Sequence, residues 1–320
     1  MHDVTLSKAK ILVADDEEAQ RAFLGDLLED QGFRVIPARD GDEALQLLLT
    51  QPVDLALLDI LMPRRSGFAV CRTIKSRPET RLLPVVLVTG LADSEDRIQG
   101  IECGADDFLN KPVNKEELLA RVRPLLKLKR FVDELERAET VVFTLARSIE
   151  AKDPHTEGHS ERLARYAVAL ARHLGLSEEQ MVALERGGIV HDVGKVSIPD
   201  HILLKPGPLT PEERKIVELH PVIGERICAL LQSFRLVLPI IRHHHERLDG
   251  SGYPEGLKDD KIPLTARILT VVDVYDALTT DRPYRKALSR EEAFTQMWEE
   301  LNRGWWGKTL LSEFEQLFGK

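Results

Sequence analysis

Histidines and carboxylates recur along the second half of the chain at positions that could gather metal ions: His159, the adjacent pair His191-Asp192, His220, the run His243-His244-His245 and Asp273. Imidazole nitrogens mixed with carboxylate oxygens suit Fe, Mn or Zn, and one shared carboxylate can bridge two such ions. Two ions about 3.5–4 Å apart activate a water and stabilise both oxygens of a displacement at phosphorus. A second set lies near the N-terminus: Asp15, Asp16, Asp59, Thr89 and Lys111. Three carboxylates brought together repel one another unless a cation sits among them, and Mg²⁺ suits a few carboxylates plus water and phosphate oxygens. A carboxylate can itself take a phosphoryl group as a nucleophile. A lysine and a hydroxyl beside it would then bind the new dianion.

The elements around the N-terminal set are short apolar runs, Ile11–Ala14, Arg34–Ile36, Leu55–Leu58, Val85–Val88 and Asp107–Leu109, alternating with stretches of helical period. That alternation implies a parallel sheet with helices on both faces, a doubly wound α/β domain. Function in such sheets gathers at the carboxyl ends of strands. Asp15 and Asp16 follow the first strand, Asp59 the third, Thr89 closes the fourth and Lys111 follows the fifth. Read singly, Asp15 and Asp16 are caps for a helix starting at Glu17, and Asp59 caps a turn. Caps do not account for four strand ends carrying compatible groups in order.

From Asp153 onward the helical period dominates and the expected domain is all-helical, its polar residues projecting inward from different helices. His159 precedes one helical stretch, His191-Asp192 ends another, His220 closes Glu212–Leu219, and the His243–His245 run follows Leu236–Ile241. Thr210-Pro211-Glu212-Glu213 is a helix-start signal. A histidine standing alone on an apolar face is usually a core or surface residue, and His173 and His201 are read that way. Neighbours on a helix point about 100° apart, so spacing alone does not choose two ligands from the His243–His245 run.

Between these parts, Leu128, Phe131, Leu135, Ala138, Val142, Leu145 and Ile149 follow a 3-4 heptad rhythm. Two arrangements stay open, a parallel coiled coil that pairs two chains and a single amphipathic helix on its own domains. A dimer through this helix would let events in one domain alter the geometry of two others.

The 320 residues exceed one compact core and indicate two domains. A net charge of -9 argues against a general electrostatic surface for DNA. Phosphate-bearing ligands must then be caught by a local basic cluster or a metal. Cys71, Cys103 and Cys228 are scattered and odd in number, which suits a reducing compartment. The N-terminus has no basic stretch leading into an apolar run, and apolar runs fall far short of the roughly 18 residues of a membrane span. A cytosolic chain with no membrane partner is expected.

Residues 8–126 resemble the receiver domain of response regulators, through Val13-Ala14-Asp15-Asp16, Leu58-Asp59-Ile60-Leu61-Met62-Pro63, Val88-Thr89-Gly90 and Asp107-Phe108-Leu109-Asn110-Lys111-Pro112. The resemblance implies a flavodoxin-like fold over 1–126. Asp59 then accepts phosphate from a sensor histidine kinase, Asp15 and Asp16 hold Mg²⁺ with it, Thr89 and Lys111 contact the phosphoryl group, and Phe108 takes the aromatic switch position. Residues 127–147 form the helical linker.

Within a second domain of residues 148–320, a second resemblance covers about residues 148–303, to the HD-GYP phosphodiesterases of the HD superfamily. It rests on Gly158-His159-Ser160, His191-Asp192-Val193-Gly194-Lys195, Ile198-Pro199-Asp200, Lys205-Pro206-Gly207 and Leu219-His220-Pro221, then on His244 through Pro254, Asp273 through Thr279, and Arg282-Pro283-Tyr284-Arg285. It implies two divalent transition metals, Fe or Mn, bridged by Asp192. His191, Asp273 and His159 lie on one side, and His220, His244 and His245 on the other. Hydrolysis of cyclic di-GMP follows, with Lys195, Tyr253, Arg282 and Arg285 binding substrate. One departure stands at Gly304, where the family usually continues Phe-Asp-Pro and this chain reads Trp305-Trp306-Gly307-Lys308. A second concerns a third metal. Three-metal members of the family carry Glu four positions before the histidine of the Gly-His pair, where this chain has His155. A neutral nitrogen holds a crowded third cation less well than an anionic oxygen. Glu157, two positions from His159, falls on another face if the segment is helical. The expectation is a two-metal site giving mainly the linear dinucleotide pGpG, with slow further cleavage to GMP. Alternatives are an output domain that senses the nucleotide or docks partners with little turnover, and a hydrolase of another cyclic dinucleotide.

Overall fold

The computed structural model describes residues 8–90, 94–152, 158–281 and 285–319. They form two compact units, Met1–Glu136 and Arg137–Lys320. In the first, strands β1 (Lys10–Ala14), β2 (Arg34–Ala38), β3 (Leu55–Asp59), β4 (Val85–Thr89) and β5 (Asp107–Asn110) alternate with helices α1 (Glu18–Glu29), α2 (Gly41–Thr50), α3 (Gly67–Lys75) and α4 (Ser94–Glu102). The strands pair in parallel in the order β2-β1-β3-β4-β5, the doubly wound flavodoxin-like order. β1, β3 and β4 read as nearly unbroken apolar runs because both faces of the sheet are covered. Leu12, Leu58 and Leu87 belong to one core layer and Val13, Leu57 and Val88 to the other.

A 36-residue helix, α5 (Lys115–Glu150), begins in the first unit and ends in the second, with Pro124 inside it. Leu118, Val122 and Leu126 join the first core, while Val142, Ala146 and Ile149 join that of the second unit. Of the heptad positions, Leu128, Phe131 and Leu135 are exposed.

The second unit continues with α6 (His159–His173), α7 (Glu178–Val190), α8 (Asp200–Leu203), α9 (Pro211–Val217), α10 (His220–Cys228), α11 (Leu238–His243), α12 (Leu264–Thr279), α13 (Arg290–Leu301) and α14 (Lys308–Phe318). Reciprocal capping boxes, Ser177 with Gln180, Thr210 with Glu213 and Ser289 with Glu292, set the starts of α7, α9 and α13. The helix-start signal at Thr210 is thereby accounted for. His220 departs from the sequence reading: it opens α10 rather than closing the preceding helix, which stops at Val217, and Pro221 follows it in the first turn, where a missing N–H costs nothing. Leu163, Leu184, Ile240, Leu269 and Phe314 fill the core. Among the described residues no helix is long and apolar enough to cross a membrane.

Candidate metal centre and acidic pocket

At the carboxyl edge of the sheet, ligand oxygens of Asp15, Asp16 and Asp59 lie within 4.8 Å of one another. Asp15 and Asp59 are buried, and Asp16 is exposed. Lys111 reaches across from the end of β5, its Nζ 2.8 Å from Oδ2 of Asp15 and 3.2 Å from Oδ1 of Asp59. Burial pushes the Asp59 carboxyl up, the Lys111 charge pulls against it, and the Asp15 charge adds to the rise. Thr89, at the end of β4, is buried; the backbone N–H of Lys111 donates to its carbonyl at 2.7 Å, fixing the lysine beside the pocket. Phe108 packs against α4 at Gly100, where an added Cβ would come within 2.3 Å of the ring.

In the helical unit, two groups of ligand atoms assemble: Asp192 with His220, His244 and His245, and His159 with His191 and Asp273. Asp192 stands between them. Its Oδ1 is 3.1 Å from Nε2 of His220 and 4.0 Å from Nε2 of His244, while its Oδ2 is 3.3 Å from Nε2 of His191. In the other group Nε2 of His159 lies 3.4 Å from Oδ1 of Asp273. Lys195, one short 3-10 turn later, brings Nζ to 2.5 Å from Oδ2 of Asp192.

The histidines are oriented from behind. Nδ1 of His191 lies 2.9 Å from the Gly188 carbonyl, that of His220 2.7 Å from Val217 O, that of His244 2.7 Å from Ile241 O, and that of His159 2.7 Å from Oδ2 of Asp276. Nδ1 donating outward leaves Nε2 as a lone-pair donor facing inward, the arrangement that fixes a metal-binding tautomer. Nε2 of His191 and Oδ1 of Asp192 are buried without an aligned hydrogen bond among the described residues, and buried polar groups of that kind call for a partner. Nε2 of His220 and Nε2 of His244 approach to 3.4 Å, with both Nδ1 protons already committed. Burial holds His244 well below the usual imidazole range, and burial together with the His220 charge brings His245 down to about 3. Against the cost of burial, Lys195, His191 and His220 hold the Asp192 carboxyl well below its usual range. Burial works against a charge on His191, but the Asp192 carboxylate beside it prevails and holds its pKa up. Metal binding releases such a proton, and with His244 and His245 held neutral around Asp192 these residues fit two divalent ions sharing that carboxylate.

The backbone explains why residues so far apart in sequence meet. An added Cβ at Gly194 would come within 2.0 Å of the His220 carbonyl, so glycine lets the turn after Asp192 lie directly on α10. α11 ends at His243, and His244 and His245 lie in the turn beyond it. Thr270 Oγ1 donates to the His244 carbonyl at 2.7 Å and ties the turn to α12. An added Cβ at Gly252 would come within 2.5 Å of the Glu246 Cα and the His245 carbonyl, so the next loop sits on the same turn. That loop carries Tyr253, whose ring centroid is 4.8 Å from that of His245.

Arg285 donates to the carbonyls of Ala277 and Leu278 at 2.6 and 3.2 Å, at the last turn of α12. His155 and Arg282 lie outside the described residues. His173 pairs with Glu313 at 2.8 Å on the surface, as expected of a histidine without a metal. Two residues escaped sequence reasoning. Asp276 backs His159 and pairs with Arg162 at 2.6 Å; its signal was its place three residues after Asp273 on the same helix. Buried Glu246 accepts the backbone N–H groups of Glu255 and Leu257 at 2.8 and 2.9 Å and latches the Tyr253 loop, a role that no local pattern announces.

Sheet, acidic pocket and helical histidine core define a receiver domain joined to an HD-type hydrolase domain. A family model for the response regulator receiver domain matches residues 11–123, and one for the HD domain matches 144–310. The chain is 39% identical over 323 residues to a probable cyclic di-GMP phosphodiesterase of Vibrio cholerae, covering 90% of this chain and 73% of that protein. It is 36% identical over 316 residues to the cyclic di-GMP phosphodiesterase response regulator RpfG of Xanthomonas campestris, with 92% and 84% covered. It is also 40% identical over 164 residues to 3'3'-cGAMP-specific phosphodiesterase 3 of Vibrio cholerae, where the match covers 51% of this chain and 36% of that protein. The chain belongs to the family of response regulators that carry a receiver domain and a phosphodiesterase domain of the HD type.

Proposed function

We propose that the chain hydrolyses cyclic di-GMP to pGpG, and slowly on to GMP, at a two-metal site controlled by phosphorylation of Asp59. The observation that carries the reading is Asp192, whose two carboxylate oxygens face separate histidine groups. His191, His159 and Asp273 would hold one ion, His220, His244 and His245 the other, with Fe or Mn suited to these donors. Such ions supply Lewis acidity toward the attacking water and the phosphate oxygens. The chain's own residues do the rest. The backbone-anchored imidazoles keep the donors in place without rearrangement, and half-buried Tyr253 walls the cleft beside His245. Lys195, together with Arg282 and Arg285 where they reach the substrate, offers positive charge to its phosphates. In the receiver, Asp15 and Asp16 would hold Mg²⁺, Asp59 would take the phosphoryl group from a sensor histidine kinase, and Thr89 and Lys111 would bind it.

Residues 127–147 would act as the linker between a receiver of 1–126 and an output domain of 148–320. Exposed Leu128, Phe131 and Leu135 support pairing with a second copy through the first part of that helix. Sedimentation giving a monomer in both phosphorylation states rules that pairing out. Anaerobic purification with metal analysis, followed by incubation with cyclic di-GMP, tests the main reading: two metals per chain and release of pGpG are expected, and a metal-loaded chain without turnover refutes it. The relative specific for 3'3'-cGAMP favours a second reading, cleavage of that hybrid dinucleotide, so it belongs in the same assay.

A further inference from the structure

Beside the metal ligands His245 and Asp273 opens a cleft of about 360 Å³. Arg247, Glu300 and Trp305 also line it, and the reaction above uses none of them. Trp305 lies in the stretch where the chain departs from the pattern of the family it resembles. The guanidinium of Arg247 stacks on the Trp305 indole, with its Cζ 3.6 Å from the ring centroid. The Leu248 N–H donates to the Trp305 carbonyl at 3.1 Å, so the two segments are tied by backbone as well. Arg247 is half-buried and has no side-chain hydrogen bond or ion pair among the described residues. A half-buried arginine lying flat on an indole, with its N–H fork uncommitted, is preorganised for a planar acceptor pair. Glu300 lines the same cleft; Gln296 Nε2 donates to its Oε1 at 3.1 Å, and its other oxygen has no such bond among the described residues. A carboxylate in the wall disfavours a phosphate as the partner of this arginine.

We infer that Arg247, held on Trp305, and Glu300 form a guanine-reading subsite of the cleft, which makes them the residues that set base preference. This rests on the cyclic-dinucleotide reading above. Guanine presents O6 and N7 as two adjacent acceptors, the pair that an arginine fork takes bidentately. Its N1–H and N2–H groups are donors, which a carboxylate accepts. Adenine offers an amino group in place of O6, so the same fork meets a donor and loses one bond. Tyr253, which lines the same cleft, supplies a ring face, as in pockets that combine stacking with edge contacts to a base.

The test uses the metal-loaded full chain and hydrolysis-resistant phosphorothioate analogues of cyclic di-GMP and cyclic di-AMP, with affinities from equilibrium dialysis. The wild type is expected to prefer the guanine analogue by about tenfold or more. Arg247→Met retains a stem on the indole and Arg247→Lys retains the charge, but neither has the fork. Each, like Glu300→Ala, should weaken the guanine analogue by about tenfold and the adenine analogue by less than about twofold. Circular dichroism and metal content matching the wild type establish that these variants fold. Equal weakening of both analogues by Arg247→Met assigns the arginine to phosphate or to packing and overturns the subsite, as does undiminished selectivity in all three variants. If the wild type cleaves cyclic di-GMP while the variants keep their preference, the subsite falls and the function stands. If the wild type binds neither analogue and cleaves no cyclic dinucleotide, both fall.

Discussion

His159 and Asp276 face each other across α6 and α12, with Nδ1 of the imidazole 2.7 Å from Oδ2 of the carboxylate, which also takes N–H bonds of 2.6 and 2.9 Å from Arg162. The carboxylate therefore decides which nitrogen of His159 turns toward Asp273. It stands behind a proposed ligand, and partners of that kind tune metal affinity.

Asp276→Asn should lower metal affinity by about 10- to 100-fold, measured by chelator competition on the full chain. Its stability effect has a defined pH window. Burial works against the Asp276 carboxylate, but the His159 and Arg162 contacts win and hold its pKa below the usual value. A depressed carboxyl contributes stability that is complete above its unfolded pKa of about 3.9 and is lost as pH falls through the folded value. Urea titrations of wild type and Asp276→Asn should differ by a constant margin near neutrality and converge below about pH 4. A margin that widens on acidification would show that the carboxylate is not the stabilised form.

Asp192→Ala removes oxygen ligands from both histidine groups at once. Most bound metal should be lost, and turnover should fall by about three orders of magnitude or more, whereas His173→Ala should change little. A wild-type rate in the Asp192 variant would refute a bridging carboxylate.

Asp59→Asn should abolish labelling by a small phosphodonor such as acetyl phosphate while the chain keeps its metal. Asp59 lies within 3.2 Å of Lys111 and ends β3 in the acidic pocket. Phosphate incorporated into this variant would place the acceptor elsewhere.

Gly252→Ala forces a Cβ to within 2.4 Å of the Arg247 backbone nitrogen. The Tyr253 loop must lift from the turn carrying His244 and His245, and turnover should drop by about tenfold or more with phosphorylation of the receiver unaffected. Undiminished turnover would mean that the loop does not need this close approach.

Metal content and product distribution check the expectation at His155. Two ions per chain and pGpG as the main early product are expected; three ions at full activity with GMP appearing first would overturn it.

Much of the receiver was legible because its chemistry sits at strand ends, and a strand announces itself locally by an apolar run of a few residues. β1, β3 and β4 each extend the run read from sequence by a single residue, and β2 by two. The proposed metal ligands were legible as residue types, but no spacing rule tells which two of three consecutive histidines turn inward. Packing decided it, gathering His244 and His245 with Asp192 and His220 while His243 groups with Glu246 and Glu255. The heptad positions were visible too, yet one rhythm serves different partners: Val142 and Ile149 enter the core of the second unit, and Leu128 and Phe131 remain exposed.

By itself the sequence determined the two-domain order, the parallel α/β and all-helical classes and the donor types, since periodicity and side-chain chemistry are properties of short stretches. Tertiary structure alone decided that Asp192 stands between two histidine groups, that Asp276 and backbone carbonyls set the imidazole tautomers, and that Arg247 lies on Trp305. Those relations join residues up to 117 positions apart. They depend on how helices pack and on the glycines that let backbones touch, which no local pattern encodes.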